Sequence, residues 1–490
     1  MGRLKFLSFA LPLLVGGTSI AAGLDPSNVE ALTSPAANRP WQPDQPLPSI
    51  TRPDRPPSVP KQFTGPLSLA ELTDLALILN PRTRQAWLSA RAEAAALGIE
   101  NADDWPTITA LYSHRIGRAI SGTTGVPVAV QTIHGPSVSL SYVLFDFGQG
   151  AAASDAANFR LLAANLAQNR ILQEVATQLE QAYYRVLAFE YLVRASRDAL
   201  KNFETALDAT QRRRTSGLAT AGDEYRAATQ VGQAQLTLTR NDGELSKARG
   251  QLANAAGLPV NYPLQLKPMA DLPLVSEVKQ SLDVLIEKAK ASRPDLIASE
   301  ARARAARASA VATSRAGLPT LSFVSSYGRV MFTNGAPGVA GSPVGTQRPE
   351  QDVYQLGFNL SIPVFNGFKD TYSTRRAEEQ AAQAESVRDQ LLNQTELDVW
   401  QAYYDLQTAA SSVASTANLV RSATESAAAA AARYKAGVGN LLDFITAQQD
   451  DTNARVAQIQ SYLDWYSALA RLNFSLGASD SEVVKARAKQ

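Results

Sequence analysis

The chain has 490 residues, with 47 lysines and arginines against 45 aspartates and glutamates, so its net charge is close to zero. This balance does not favour a nucleic-acid partner. The chain contains no cysteine, which excludes thiol nucleophiles, cysteine-based zinc sites and disulfides. The two histidines, His114 and His134, are well separated along the chain and would need other ligands to hold a metal. We therefore expect no metal site and no cofactor.

The N-terminus has the pattern of a secretory signal peptide. Arg3 and Lys5 form a positive region, residues 6–15 are largely apolar, and small residues follow at 19–23. The apolar stretch is too short to span about 30 Å of hydrocarbon as a helix. We therefore expect residues 1–22 to be removed. No later segment is a run of about 20 apolar residues, so no membrane-spanning helix is expected in the mature chain.

Residues 23–66 are rich in proline, which is typical of an extended segment without a core of its own. The sequence that follows repeats itself. Asn80-Pro81 corresponds to Arg293-Pro294, and Gln181–Tyr184 corresponds to Gln401–Tyr404. A nearly constant offset over many such sites indicates internal duplication. We predict repeat 1 at residues 67–257, an inter-repeat equatorial segment at 258–280, repeat 2 at 281–477 and a C-terminal tail at 478–490.

Within each repeat the pattern changes from helical to alternating. A helix is predicted at about residues 68–101 and ends before a Trp-Pro pair, because proline cannot continue a helix. The period then becomes two. This predicts a β-hairpin with one apolar and one polar face at about residues 105–145 in repeat 1 and 318–365 in repeat 2. Gly-rich stretches at 117–135 and 335–345 are predicted to be extracellular loops.

Very long helices follow each hairpin. Residues from about 148 to 214 carry a heptad-like apolar stripe, and about 65 residues at about 1.5 Å each make a helix near 100 Å long. A second helix is predicted at about 223–256, and the pair recurs at about 369–436 and 441–476. Globular domains seldom contain helices of this length. The stripe consists of Leu172, Val175, Ala176, Leu179, Ala182, Tyr183 and Val186.

The apolar faces of the two hairpins need an apolar partner, which is either a soluble core or lipid. Lipid is favoured, because the hairpins are flanked by long helices with narrow stripes of their own. In lipid, each unpaired backbone group of an open sheet edge costs several kcal/mol. Four strands cannot close a barrel, since the smallest outer-membrane barrels have about eight. The predicted fold is therefore mainly α with a small transmembrane β part, in which a trimer forms a 12-stranded β-barrel and an α-helical barrel.

Several segments resemble the TolC-like outer membrane efflux proteins, or outer membrane factors. They are Arg433–Val438 with Leu442–Ile445 and Ala447-Gln448, and Pro363–Gly367 with its counterpart Leu144–Gly148. The resemblance extends from about Leu67 to Gly477. It implies a homotrimer in the cell outer membrane with a long periplasmic extension. Such a duct passively conducts substrate to the exterior in a tripartite efflux or type I secretion system. Its partners would be a periplasmic adaptor (membrane fusion) protein and an inner-membrane pump or ABC transporter.

The resemblance also implies that the tips of the helix hairpins close the periplasmic entrance and touch the adaptor. Asp443 matches an aspartate that lines the entrance, where three copies would form a ring that attracts cations. Asp223 and Tyr434 match a pair that holds the tips closed through hydrogen bonds. The sequence departs from the family pattern at Thr446, in place of a second acid, and at Gly439, in place of an arginine. The tip residues expected to contact the adaptor are Gly217, Leu218, Gly437, Val438 and Arg433.

Simpler interpretations stay open at the tips and for the whole chain. A glycine between two helices is often a C-cap, and an aspartate in the next first turn compensates the helix dipole. The chain as a whole has two alternatives, a periplasmic coiled-coil adaptor or scaffold without a barrel, and a secreted enzyme. The scaffold does not explain the two hairpins. No Ser/His/Asp spacing, phosphate-cradling loop or paired metal ligands support an enzyme.

Overall fold

The structure is a computed structural model and describes residues 65–117, 130–267, 280–334 and 350–477. Within these ranges the chain is mainly α-helical, with four β-strands in one sheet, which agrees with the predicted class. The predicted signal peptide and C-terminal tail lie outside the described residues. So do nearly all of the Pro-rich segment and about half of the inter-repeat segment.

The described helices occur in pairs of equal length, one member from each half of the chain. At about 1.5 Å per residue the longest pair reaches about 100 Å. Helices α1 (Leu69–Leu79) and α5 (Leu282–Ser292) have 11 residues each, and α2 (Pro81–Ala102) and α6 (Pro294–Arg315) have 22. Helices α3 (Gln149–Thr215) and α7 (Lys369–Lys435) have 67 residues each, and α4 (Ala221–Ala255) and α8 (Leu441–Ser475) have 35.

The single helix predicted over residues 68–101 is two helices, which meet at Asn80. Asn80 has an extended backbone, with ψ of 125°, as a residue before proline prefers. Pro81 then takes the first position of α2, where its missing N–H leaves no bond unmade. The Asn80 side chain accepts from the Arg82 N–H at 2.9 Å and donates to the Ala255 carbonyl at 3.0 Å. The break therefore ties α2 to the end of α4.

The largest apolar core lies where α1 and α5 pack on the long helices. Leu72 and Leu75 of α1 are fully buried against the α3 stripe. Burying each such leucine contributes about 1.5–3 kcal/mol. Most of the predicted stripe is buried, which confirms its orientation toward this core. The buried stripe residues are Val175, Ala176, Leu179, Tyr183 and Val186.

A buried ion-pair cluster joins α3, α6, α7 and the end of α8. The Arg293 side chain, 3% exposed, pairs with Asp295 at 2.7 Å and with Asp398 at 2.8 Å. Burial disfavours the charged guanidinium, but the hydrogen bonds to the two carboxylates outweigh burial, and the pKa of Arg293 is raised. Arg170 lies 3.5 Å from Asp295 and donates to the Phe474 carbonyl at 3.0 Å. The cluster thus holds the last turn of α8 in place.

The strands form one antiparallel sheet in the order β1-β2-β3-β4. Residues 131–135 of the loop predicted at 117–135 belong to β2, which begins at residue 131. Gly135 is compatible with a strand at this position. A Cβ at Gly135 would lie 1.8 Å from the Arg329 carbonyl oxygen, so glycine lets β3 approach here without ending the strand. The strands are β1 (Thr107–Gly117), β2 (Gln131–Phe145), β3 (Thr320–Asn334) and β4 (Glu350–Ser361).

Candidate functional site

The sheet carries one apolar and one polar face. Residues directly opposite each other on neighbouring antiparallel strands project to the same face, so each set of partners forms a row. Tyr354, Leu356 and Phe358 of β4 are 81%, 70% and 69% exposed, which leaves a large apolar surface open to the surroundings. Two apolar-face rows are Ala110–Val138–Tyr327–Tyr354 and Ile108–Leu140–Ser325–Leu356, and the polar row between them is Thr109–Ser139–Ser326–Gln355.

The sheet has two open edges. Within the described chain, β1 pairs with β2 alone and β4 pairs with β3 alone. All residues of β1 are exposed, and so are those of β4 except Gly357, which is partly exposed. Each edge therefore offers a row of backbone donors and acceptors to another strand. No helix in the part of the chain described here combines the length and the hydrophobicity needed to cross a membrane.

At the other end of the long helices, the same C-terminal motif ends α3 and α7. Gly217 has φ of 73°, and the following N–H, of Leu218, donates to the Arg213 carbonyl at 2.7 Å. Gly437 has φ of 78°, and the residue after it donates to the Arg433 carbonyl at 3.1 Å. This is the Schellman motif, which needs a left-handed residue. The C-cap interpretation thus accounts for both glycines.

Capping does not explain the exposure of the residue that follows each glycine. Leu218 is 72% exposed and Val438 is 79% exposed. In a Schellman motif this position commonly packs back on the helix, but here both side chains point into solvent. Arg433 is exposed as well. The tips therefore present apolar and basic groups outward.

The two tip aspartates have different local roles. The Asp223 carboxylate accepts from the Thr220 hydroxyl at 2.7 Å and from the Thr220 N–H at 3.0 Å, which completes a capping box at the start of α4. These bonds hold the pKa of Asp223 below its ordinary value. At the start of α8, the Asn440 side chain accepts from the Asp443 N–H at 2.7 Å. That cap uses the backbone of Asp443, and its exposed carboxylate projects to solvent.

Tyr434 is buried between the two helix hairpins. Its hydroxyl lies 3.1 Å from the Thr210 hydroxyl, and its ring stacks on Phe444 with centroids 5.3 Å apart. Arg213 donates to the Tyr434 carbonyl at 2.9 Å and places its guanidinium 4.7 Å from the ring centre. The resemblance pairs Tyr434 with Asp223, but in this structure Tyr434 contacts α3. Sequence reasoning missed Thr210 and Arg213, which are three residues apart and share a helix face.

The chain matches a known protein family over most of its length. The model of the outer membrane efflux protein family matches residues 72–258 and 285–478. This chain belongs to that family. The outer membrane efflux protein described here is 27% identical to protein CyaE of Bordetella pertussis over 84% of this chain and 83% of the relative. It is 26% identical to outer membrane protein OprJ of Pseudomonas aeruginosa over 86% of each chain.

Solved structures of similar proteins have the same fold. A membrane protein from Pseudomonas aeruginosa superposes with a TM-score of 0.73 at 25% identity, over 84% of this chain and 93% of the other. The outer-membrane channel OprN superposes with a TM-score of 0.74 at 20% identity, over 88% and 98% of the two chains. The family is one of transport channels rather than enzymes. The chain is accordingly an outer-membrane exit channel for efflux or secretion.

Proposed function

We propose that three copies of this chain close a 12-stranded barrel whose apolar face meets lipid, and that the long helices continue it as a periplasmic α-helical barrel. The observation that carries the proposal is the pair of unpaired edges, β1 and β4, beside an exposed apolar face. Lipid offers no hydrogen bonds to such edges, so each must pair with the edge of another copy. The equal helix lengths in the two halves support a tandem duplication that contributes two equivalent hairpins per chain.

The tips carry the second part of the proposal. The exposed side chains of Leu218, Val438 and Arg433 would contact a periplasmic adaptor, which links the channel to an inner-membrane pump or ABC transporter. TtgC of Pseudomonas putida, 23% identical, is named as the outer membrane protein of a toluene efflux pump. The channel conducts passively, and the pump supplies the energy. Three Asp443 carboxylates around the entrance would favour cations.

The closure of the barrel is tested by cross-linking, which a chain without cysteine allows without background. Thr109→Cys on the polar face of β1 is combined in turn with Val353→Cys, Gln355→Cys, Gly357→Cys or Asn359→Cys on the same face of β4. Since the register between copies is set by the barrel, one of the four pairs is expected to form a disulfide between subunits. Oxidation should then yield dimers and trimers on a denaturing gel.

The matched control is Ser139→Cys with Ser326→Cys, which lie directly opposite each other on β2 and β3 of one chain. This pair should oxidise within the chain, with no change in mass. The proposal fails if the control pair oxidises while all four β1–β4 combinations remain monomeric.

A further inference from the structure

The two histidines of the chain are neighbours in the sheet. His114 of β1 lies directly opposite His134 of β2, and the centroids of their rings are 5.8 Å apart at an interplanar angle of 43°. Tyr112 flanks them, with its ring centroid 6.4 Å from that of His134. Two imidazoles so far apart along the chain meet here because the β1–β2 register brings them together. A cross-strand pair holds its side chains close on one face.

A third soft ligand lies on the next strand. Met331 of β3 is directly opposite His134, so His114, His134 and Met331 form one row on one face of the sheet. Gly135 keeps β2 and β3 close beside this row, because the Arg329 carbonyl oxygen occupies the place of its Cβ. Three strands therefore bring two imidazoles and one thioether together without a loop. We name these three residues the sheet-end triad.

From this arrangement we propose that the sheet-end triad binds a copper(I) ion. A metal bonded to one nitrogen of each imidazole at about 2.0–2.1 Å places the ring centroids roughly 5–6 Å apart, which matches the separation of His114 and His134. Among the described residues, no group of three or more His, Cys, Asp or Glu side chains could hold a metal. The third protein ligand in the proposed site is the thioether of Met331, which lies next to His134 in the row. Thioether with imidazole favours Cu(I) over hard cations such as Mg²⁺ or Ca²⁺.

The triad lies beyond the apolar part of its face. On that face the row after Tyr327 and Tyr354 contains the Arg329–Asp352 ion pair, at 2.8 Å, and the triad occupies the next row. At about 3.3 Å per residue this is about 13 Å past the tyrosines. A charged pair between the two rows marks the transition to water. The metal would thus be reached from solvent. This placement at the outer rim rests on the proposed barrel, whereas the triad itself rests on one chain's sheet.

The experiment is a Cu(I) titration of the purified full-length protein in detergent, against a chromophoric Cu(I) chelator and without a polyhistidine tag. The chain has two histidines and three methionines, so background ligands are few. One Cu(I) per chain is expected. His114→Gln or His134→Gln should weaken the affinity at least tenfold, and Met331→Leu should weaken it severalfold. Met269→Leu removes a thioether elsewhere in the chain and should leave the affinity unchanged.

A second readout uses the two imidazoles directly. In protein with isotope-labelled histidine, both ring signals should shift together on addition of one equivalent of the diamagnetic Cu(I) ion. A shift of one signal alone, an affinity unchanged by His114→Gln, or equal behaviour of Met331→Leu and Met269→Leu would each overturn the triad. Bilayer conductance of each variant checks assembly separately, so a failed channel and a failed metal site give different results.

Discussion

The guanidinium carbon of Arg213 lies 4.7 Å from the centre of the Tyr434 ring, and Arg213 also donates to the Tyr434 carbonyl at 2.9 Å. This contact joins the last turn of α3 to the last turn of α7. A cation–π contact of this kind is worth about 0.5–2 kcal/mol. If opening moves the α7–α8 hairpin away from the α3–α4 hairpin, the contact must break, and it then favours the closed arrangement.

Arg213→Ala should accordingly raise the open probability of single channels in planar bilayers. Tyr434→Phe, which removes the hydroxyl partner of Thr210, should act in the same direction with a smaller effect of about 0.5–1.5 kcal/mol. Arg212→Ala is the matched control, because Arg212 pairs with Asp208 on its own helix. Equal effects of Arg212→Ala and Arg213→Ala would show that the contact between Arg213 and Tyr434 does not favour the closed arrangement.

Substitutions of Asp443 and Asp223 distinguish a role in conduction from a role in helix capping. Asp443→Asn should reduce cation selectivity, measured as the reversal potential in a salt gradient, because it removes a charge that projects to solvent at the tip. Asp223→Asn should leave selectivity intact and instead weaken the start of α4 by about 0.5–2 kcal/mol, since it disrupts the capping box. A reversal potential that ignores Asp443→Asn would exclude this residue from the entrance.

Glu71 makes the junction of α1 with the segment after α4 sensitive to acid. Hydrogen bonds from Lys267 first, and then from Ser68, lower the pKa of Glu71 from 4.5 to about 2. A carboxyl group with a lowered pKa in the folded state stabilises fully above its unfolded value and loses this contribution as pH falls toward 2. Hydrogen exchange of α1 should therefore quicken between pH 4.5 and 2, after correction for intrinsic rates.

In Glu71→Gln, the α1 amides should exchange faster than in the wild type at pH 6, and the two proteins should converge near pH 2. Glu244→Gln, which removes the partner of Lys247 on the exposed face of α4, serves as the control and should not affect α1. Parallel pH profiles for the wild type and Glu71→Gln would show that Glu71 is not the titrating group.

Arg293 caps the start of α6 and Arg304 lies within α6. Both form ion pairs, but the Arg293 side chain is buried and the Arg304 side chain is exposed. Arg293→Met leaves Asp295 and Asp398 without their shared cation and should destabilise the last turn of α8 by about 3 kcal/mol. Arg304→Met breaks an exposed pair with Glu300 and should cost less than about 1 kcal/mol. Local opening free energies from hydrogen exchange at the end of α8 measure both. Similar values for the two variants would contradict a structural role of the buried cluster.

Alanine substitutions at Gly257 and Gly217 distinguish the effect of close packing from the effect of backbone strain. Both have left-handed φ, 75° and 73°, so alanine at either site incurs a similar backbone cost of about 1–2 kcal/mol. At Gly257, a Cβ would also meet the backbone of Asn80 at 2.8 Å, whereas nothing lies within 4 Å at Gly217. Gly257→Ala should therefore lower the thermal midpoint clearly more than Gly217→Ala, and equal midpoints would argue against the close approach at Asn80.

Local signals in the sequence predicted much of this fold. Period and proline positions placed the hairpins and the long helices, because helix and strand periods are properties of short stretches. The break at Asn80 was missed although proline marked it, since the helical pattern continues on both sides. The contacts of Tyr434 with Thr210 and Arg213 were not predicted, because they cross between hairpins. The contact of His114 with His134 depends on strand register. It was not predicted, because Gly135 next to His134 favoured a loop.

The equal lengths of the paired helices limit how the periplasmic reach of this protein can change. Each heptad removed from a long helix shortens it by about 10 Å. A deletion in α3 alone would leave α4 longer than the part of α3 on which it packs. A deletion in α3 and α4 together would leave α7 and α8 extending beyond them. Where α3 and α7 pack on α4 and α8, a shorter channel therefore requires four coordinated deletions, one in each helix. A change in the distance spanned by that part of the channel must come in heptad steps made in all four helices together.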